Sequence, residues 1–410
     1  MDVRAVLRVP ALDLRQRLGA KVVVEEVDCA VAIDELALFD PTALAPPVKY
    51  TRPRRHDGVA AQGHDHEDGR DRREAGSGRR SAPQGLNVAR IVALGAGFPE
   101  TISGATVNRF CSSGVESIAT AAAKISAGHG DVFLAGGVES MTMVPMSGNK
   151  PSMSPDIADR VPDVYIAMGI TAENVCARFD IGREQQDAFA LRSHKNASIA
   201  IEKGHFNEEI IAIPAVGFDK SGNHKDSVFS RDELVRPDTT LEVLAGLKPA
   251  FITTGKGTVT PGNSSPLSDG AAVSLIMARE TAEKLGVKPM AVFRGYATAG
   301  VDPAVMGIGP VPAIRKLLAR TGVALSDVDV VELNEAFASQ AIYCARELGV
   351  SDAQLNPNGG AIAIGHPLGA TGARMTATLL HELNRRSGRY GIVSMCIGGG
   401  MGAAALYERA

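Results

Sequence analysis

No tryptophan occurs in the 410 residues, and aromatic residues make up only 4% of the chain. With a formal net charge of -3, this leaves neither an aromatic platform nor a basic surface for gripping nucleic acid. No run of about 18 uninterrupted apolar residues is present, which excludes a transmembrane helix. The N-terminus lacks the basic, apolar and small-residue order of a secretory signal, which points to an intracellular, cytoplasmic chain. The five cysteines (Cys29, Cys111, Cys176, Cys344 and Cys396) are odd in number and hold no C-x-x-C pair. Neither a disulfide framework nor a structural zinc site is indicated, so any important cysteine is expected to act as a thiol.

What is present is ordinary in bulk. A hydrophobic content of 45% and a charged content of 22% suit a soluble globular chain, and the length suggests two or three domains. The 44 glycines exceed average usage, and the excess is expected in the turns of an α/β fold, where backbone approaches a ligand closely.

Residues 1–84 read differently from the rest. From Thr51 to Pro83 charge alternates densely with almost no apolar side chain, so burial cannot offset the entropy of ordering, and the stretch reads as loop or disorder. The cluster His64 to Asp68 has metal-ligating residue types but no apolar scaffold to fix their geometry, and a solvated charge run is the better reading. Val22–Val24 and Cys29–Ile33 form an apolar stretch that fits a short strand or helix.

From Gly85 the pattern is regular. Val115, Ile118, Ala122 and Ile125 describe an amphipathic helix ending at Gly128. Asp131–Ala135 reads as a buried strand closed by Gly136 and Gly137. The same grammar returns later: Val328–Leu333 as a strand, a helix with Phe337, Ala341, Cys344 and Leu348 on one face, and a glycine-rich turn. A helix through Met375, Leu379 and Leu383 follows, then a strand Tyr390–Met395 ending in a Cys396–Gly402 turn. GDVFLAGGVESM and YGIVSMCIGGGMG place a glycine turn after a strand in both halves, which suggests a duplication and two similar α/β layers. The organisation expected is an atypical, out-of-frame-like region over 1–84, one half over 85–140 plus 268–288, a loop or substrate domain over 141–267, and a second half over 289–410.

Four segments concentrate reactive side chains. Cys111 falls just before a helix, where free N–H groups and the dipole lower a thiol pKa from about 8.5 and make a nucleophile; the alternative is a small buried hydrophobe. His366 stands between glycine and Pro367, outside any apolar helical face, placed to take a proton from Cys111 and then to hydrogen-bond a developing oxyanion. Cys396 precedes three glycines and suits a proton shuttle to a substrate carbon, or else packing at a strand end. Asn334 follows a strand and precedes a helix, the edge at which α/β sheets hold ligands; its amide suits an oxyanion site or an ordinary N-cap. Glu335 either hydrogen-bonds behind His366 or serves the first helical turn. Cys344, on an apolar helix face, reads as core.

The motifs NRFCSSG, GNSSPLSDGAA, NEAFASQ, GGAIAIGHPLGATGARM and CIGGGMG, in this order over roughly four fifths of the chain, resemble the thiolase family of acyl-CoA C-acyltransferases. The resemblance implies an α/β thiolase fold, two related layered halves with an inserted loop domain. It also implies thiolysis of 3-ketoacyl-CoA, or the reverse Claisen condensation, by ping-pong through an acyl-thioester. Carried over by position, Cys111 is acylated, His366 activates it and Cys396 moves the proton at the α-carbon. Asn334, through a water, and His366 form one oxyanion site; the backbone N–H groups of Cys111 and Gly398 form another. Ser265 matches a contact to the pantetheine of coenzyme A, and Arg236 matches a basic residue near its nucleotide end.

Coenzyme A is then a co-substrate, with no tightly bound cofactor and no metal, and the assembly is a homodimer or homotetramer. The segment 164–197 looks like the degradative 3-ketoacyl-CoA type, with Ala167 where acetoacetyl-CoA-specific members often carry histidine, which implies a wider acyl pocket. The second cysteine argues against the similarly folded ketoacyl synthases. The alternative from another class is a non-catalytic acyl-CoA or lipid-binding protein on the same fold. The family's opening strand, turn and helix are not visible in residues 1–84.

Overall fold

A computed structural model describes residues 6–7, 29–34, 87–146, 148, 151–218 and 224–410. The His64 to Asp68 cluster and Val22–Val24 lie outside the described residues. The strands are β1 (Val6–Leu7), β2 (Cys29–Asp34), β3 (Ser103–Val107), β4 (Val132–Ser140), β5 (Ile213–Phe218), β6 (His224–Phe229), β7 (Asp269–Met277), β8 (Ala291–Gly300), β9 (Val328–Leu333), β10 (Tyr390–Ile397) and β11 (Met401–Arg409). The helices, in chain order, are α1 (Val88–Gly95), α2 (Ser113–Ser126), α3 (Pro155–Arg160), α4 (Met168–Phe179), α5 (Arg183–Glu202), α6 (Leu241–Ala245), α7 (Arg279–Lys284), α8 (Pro310–Thr321), α9 (Ala338–Leu348), α10 (Ala361–Ile364) and α11 (Leu368–Arg386).

Nine strands make one sheet in the order β3-β2-β4-β7-β1-β8-β11-β10-β9, and β5 and β6 form a separate hairpin. Within the large sheet β9 and β10 pair in parallel and the other pairs are antiparallel. The two halves therefore join through β1, whose Val6 lies opposite both Ile276 and Ala291. The apolar stretch at Cys29 resolves as β2, paired between β3 and β4.

Helices cover both faces. α2 and α11 pack on one face and against each other, with Val115, Ile118, Met375, Leu379 and Leu383 in one core with Phe133, Val393 and Tyr407. α1 covers the first half of the opposite face and α8 the second, each over its own cluster of apolar residues. α2 and α11 carry near-continuous buried faces at a spacing of three and four, which is why these segments leave water as helices.

α2 and α11 approach closely because glycine lines their contact. A Cβ added at Gly114 would sit 2.5 Å from the Ala373 nitrogen, and at Gly372 2.4 Å from the Val115 nitrogen. Gly137 similarly leaves room for the Gly369 carbonyl, and Gly136 for that of Ala272. This corrects the expected end of β4: the strand does not stop at Gly136 and Gly137 but runs to Ser140, pairing with β2 and β7 on its two sides. The glycines there admit neighbouring backbone and close no turn. In the second half β10 reaches Ile397, and the turn is confined to Gly398–Gly400, with Gly399 and Gly400 at φ of 81° and 84°.

The segment 141–267 differs from the expected loop region. It is built on α4 and α5, whose buried faces seat it on the second half of the molecule, with α5 against α9 and α10.

Gly372→Ala is expected to destabilise the fold by about 2 kcal/mol, because backbone on the facing helix cannot yield to the new methyl. Gly95→Ala, where a Cβ meets nothing within 4 Å, is expected to be neutral or slightly stabilising. Denaturant midpoints of the two variants check the contrast.

Candidate functional site

Cys111 lies in a single 3-10 turn, Phe110–Ser112, that leads straight into α2. The turn is held by its own polar groups. Ser113 Oγ accepts from the Arg109 N–H at 2.8 Å and donates to the Phe110 carbonyl at 2.8 Å. The Arg109 guanidinium meets Glu116 at 2.8 Å, and the Tyr296 hydroxyl donates to the same carboxylate at 2.6 Å. Phe110 is forced to a φ of 47°, a left-handed conformation costly for a bulky residue, and its ring is half exposed beside the thiol.

Cys111 is buried, and burial pushes its thiol up to about 11. The backbone N–H groups of Gly398 and of Cys111 itself hydrogen-bond the sulfur and pull the other way. This corrects the expectation of a lowered pKa: loss of water around the sulfur outweighs the N–H groups and the helix end. Burial therefore favours the neutral thiol at Cys111.

α11 and the end of β10 both pack on the Cys111 turn. At the end of β10, Cys396 is fully buried, and its thiol is pushed well up by burial and by the neighbouring Cys111 and Cys344. The Gly398 N–H directed at Cys111 ties the two cysteine segments together. Cys396 Sγ donates to Gln340 Oε1 at 3.5 Å. Cys344 is buried in the α9 core, its thiol donating to the Gly307 carbonyl at 3.3 Å, as its apolar neighbours imply.

His366 is buried just before α11. Its backbone N–H donates to Ser268 Oγ at 3.1 Å, and its Nδ1 lies 2.6 Å from Thr371 Oγ1. Thr371 donates its own hydroxyl proton to the Pro367 carbonyl at 2.8 Å. Thr371 therefore accepts from His366, which puts the imidazole proton on Nδ1 and leaves Nε2 basic. Burial, with the positive charge of Arg374, holds the pKa of His366 down to about 3, so the ring is neutral. Asn334 Nδ2 lies 3.2 Å from Nε2. Asn334 follows β9 directly, its N–H bonded to Ser394 of β10 at 2.8 Å, so parallel strand pairing places it beside the Cys396 strand. Its Oδ1 is buried with no partner among the described residues.

Glu335 does neither of the things expected of it. Its carboxylate accepts from Ser193 Oγ at 2.6 Å, from Asn356 Nδ2 at 2.8 Å and from the Ile362 N–H at 3.3 Å. It braces the 356–362 segment leading to His366 without touching the imidazole, because Gly360 leaves the space its carboxylate fills.

Ser265 donates to the Ala336 carbonyl, at 3.0 Å from its backbone and 3.1 Å from its hydroxyl, so GNSSPLSDG joins the Asn334 segment at one point and His366, through Ser268, at another. Arg236 sits farther out. It is exposed, and its backbone N–H donates to His194 Nδ1 at 3.2 Å. The loop that carries it folds over the His366 turn, with Leu234 against Gly365 and Val235 against Ile364. A phosphate-bearing ligand entering beside that loop would meet the guanidinium.

Sequence reasoning missed four contributors: Ser268, Thr371, Gln340 and Glu139, whose Oε2 accepts from the Gly369 N–H at 2.8 Å and caps α11 from the end of β4. The partner is 230 residues away in sequence, so no local pattern could reveal it. Thr371 lies on the first turn of α11, five residues past His366, which precedes the helix, so helical spacing does not reveal the pair either.

With this geometry in place, the chain can be set beside known proteins. A profile of the thiolase N-terminal domain matches residues 78–280, and one of the thiolase C-terminal domain matches residues 287–409. The chain is 51% identical over 331 residues to the 3-ketoacyl-CoA thiolase of Bacillus subtilis (strain 168), covering 80% of this chain and 84% of that protein. Human mitochondrial 3-ketoacyl-CoA thiolase in complex with CoA superposes with a TM-score of 0.72 at 39% identity, covering 81% of this chain and 84% of that one. The dimeric peroxisomal thiolase of Saccharomyces cerevisiae gives 0.72 at 42%, covering 78% and 80%. Fold and matched domains together define an acyltransferase built from two related α/β halves. The chain belongs to the thiolase family.

Because burial keeps His366 neutral down to about 3, the pH profile of kcat/KM is expected to lack the acid limb near 6.5 that a solvated imidazole base would give. Thr371→Val removes the Nδ1 acceptor and is expected to lower kcat about tenfold with little change in KM, while Thr371→Ser restores it. Steady-state kinetics across pH on the three proteins test both statements.

Proposed function

We propose that the protein cleaves 3-ketoacyl-CoA with free coenzyme A, giving acetyl-CoA and an acyl-CoA shortened by the acetyl unit. What carries this reading is the pair of neighbouring buried thiols, Cys111 and Cys396, with the helix that follows His366 packed on the Cys111 turn and the His366 imidazole neutral with its Nε2 unprotonated.

In the first half-reaction Cys111 gives its proton to His366 Nε2 and its sulfur attacks the 3-keto carbon. The carbonyl oxygen becomes an oxyanion, held either by Asn334 and the protonated Nε2 or by the N–H groups of Cys111 and Gly398. The bond between the α- and keto carbons breaks, the acyl group stays on Cys111, and the acetyl-CoA enolate takes its proton from Cys396. In the second half-reaction His366 returns the proton it holds to the Cys396 thiolate and takes the thiol proton of coenzyme A; the coenzyme A sulfur attacks the thioester, and Cys111 leaves with the proton from His366. The atoms balance with no metal and no bound cofactor in any step. Run backwards, the same steps form a carbon–carbon bond.

Ser265 and Arg236 are assigned to coenzyme A, at its pantetheine and nucleotide ends. For Arg236 the support is an exposed guanidinium at the rim of the His366 turn. A wider acyl pocket is the reading given to Ala167, the small residue at the N-cap of α4. The assembly is proposed to be a homodimer or homotetramer, with the dimeric yeast thiolase as support. A cytoplasmic location belongs to the same proposal, although peroxisomal relatives also match.

Intact-mass measurement after mixing with acetoacetyl-CoA is expected to show one acetyl adduct, mapped to Cys111 and discharged by coenzyme A. Folded protein that forms no adduct would overturn the enzymatic reading in favour of an acyl-CoA-binding protein.

A further inference from the structure

Cys396 sits in an apolar nest of Ala172, Cys176, Val259, Met306, Ala336 and Phe337. In such a setting a thiol can cycle to thiolate and back only if a polar group answers both states. Gln340, on the first turns of α9, is fully buried and supplies that group. Its Oε1 accepts from Cys396 Sγ at 3.5 Å, while its Nε2 is buried with no hydrogen-bond partner. The side chain is wedged in place: a Cβ on Gly307 would come within 2.6 Å of Gln340 Cβ. A buried amide with an idle donor is costly, and here the idle donor belongs to the group already touching the sulfur.

We propose that Gln340 is a positioning residue for Cys396, an amide that accepts from the thiol and, by rotating about its last bond, donates to the thiolate. This deepens the proposed function and rests on the role given there to Cys396. In the resting thiol the S–H bond points at Oε1, and it turns from Oε1 toward the enolate carbon before the proton is transferred. When Cys396 protonates the enolate, the S–H bond breaks, a C–H bond forms and the negative charge stays on sulfur. Rotation of the amide by half a turn then brings Nε2–H to the sulfur, beside the backbone N–H of Cys396 that already faces it. The Nε2 group has no bond to break for this rotation, so the two states exchange without disrupting the surroundings.

The test uses acetyl-CoA and two exchanges on the full chain. Deuterium entry into the acetyl methyl group in heavy water reports proton transfer at carbon; entry of labelled coenzyme A into acetyl-CoA reports acylation of Cys111. Gln340→Met, similar in shape but without the amide, is expected to slow deuterium entry by about 100-fold and to change coenzyme A exchange by less than about threefold. Gln340→Glu, kept protonated by burial, again offers an acceptor and an O–H donor and is expected to recover part of the deuterium exchange. An equal fall of both exchanges in the Met variant, no fall in either, or a Glu variant no better than Met would overturn the proposal. Cys396→Ala is run alongside: deuterium exchange that survives in it would instead overturn the role given to Cys396.

Discussion

Contact between α2 and α11 through bare glycine backbone is the constraint on which the site depends. Each helix begins at a reactive residue, Cys111 for α2 and His366 for α11. Gly114 and Gly372 let the two helices touch without side chains between them, so the elements they lead share one corner of the molecule. The sheet below repeats the device, since Gly137 accepts the Gly369 carbonyl and Glu139 caps the same helix. Displacing either helix by a methyl group would move the Cys111 and His366 segments apart by a comparable amount, and on the proposed mechanism positioning errors of that size matter to the rate.

Burial then decides the protonation of everything in that corner. Both thiols are pushed up and the imidazole is pushed down, so the resting site is made of neutral groups. A site of this kind does not hold a standing thiolate. On the proposed mechanism charge develops only during the reaction, and the N–H groups of Gly398 and Cys111 already hydrogen-bond the Cys111 sulfur. The same logic explains why the group that meets the imidazole at Nδ1 is a hydroxyl rather than a carboxylate. Thr371 fixes the tautomer without adding a charge that would draw a proton onto the ring.

Much of this was legible in the sequence. Helical spacing in α2 and α11, the strands β9 and β10, and the glycine turn at Gly398–Gly400 all follow from local pattern. So did the four reactive segments, because cysteine, histidine and asparagine next to glycine and outside apolar faces need a reason to be there. What was not legible depends on distant partners. Gly136 and Gly137 look like a turn until the backbone they admit is known, and Glu335 looks like a helper of His366 until Ser193 and Asn356 are seen to occupy it. The lowered thiol pKa failed for a related reason: the helix end is local and visible, whereas the depth of burial belongs to the whole fold. Strand β2 lies before the first residue matched by the thiolase profiles, and its place between β3 and β4 is set by sheet pairing alone.

The cost of such a site is visible in its unsatisfied atoms. Glu332 Oε1, Asn334 Oδ1, Gln340 Nε2 and both terminal nitrogens of Arg374 are buried without partners among the described residues, and all lie on β9 or the residue just after it, the start of α9 or the first turns of α11. Each such group costs about 1–3 kcal/mol. Burial also pushes Glu332 up to about 8, which keeps it neutral behind Asn334 and reduces that cost. The large apolar core formed by α2, α11 and the sheet is what offsets the remainder. Packing and unsatisfied polar atoms thus occupy different parts of the same helices: the middle turns supply the packing, and the first turns carry the buried polar atoms.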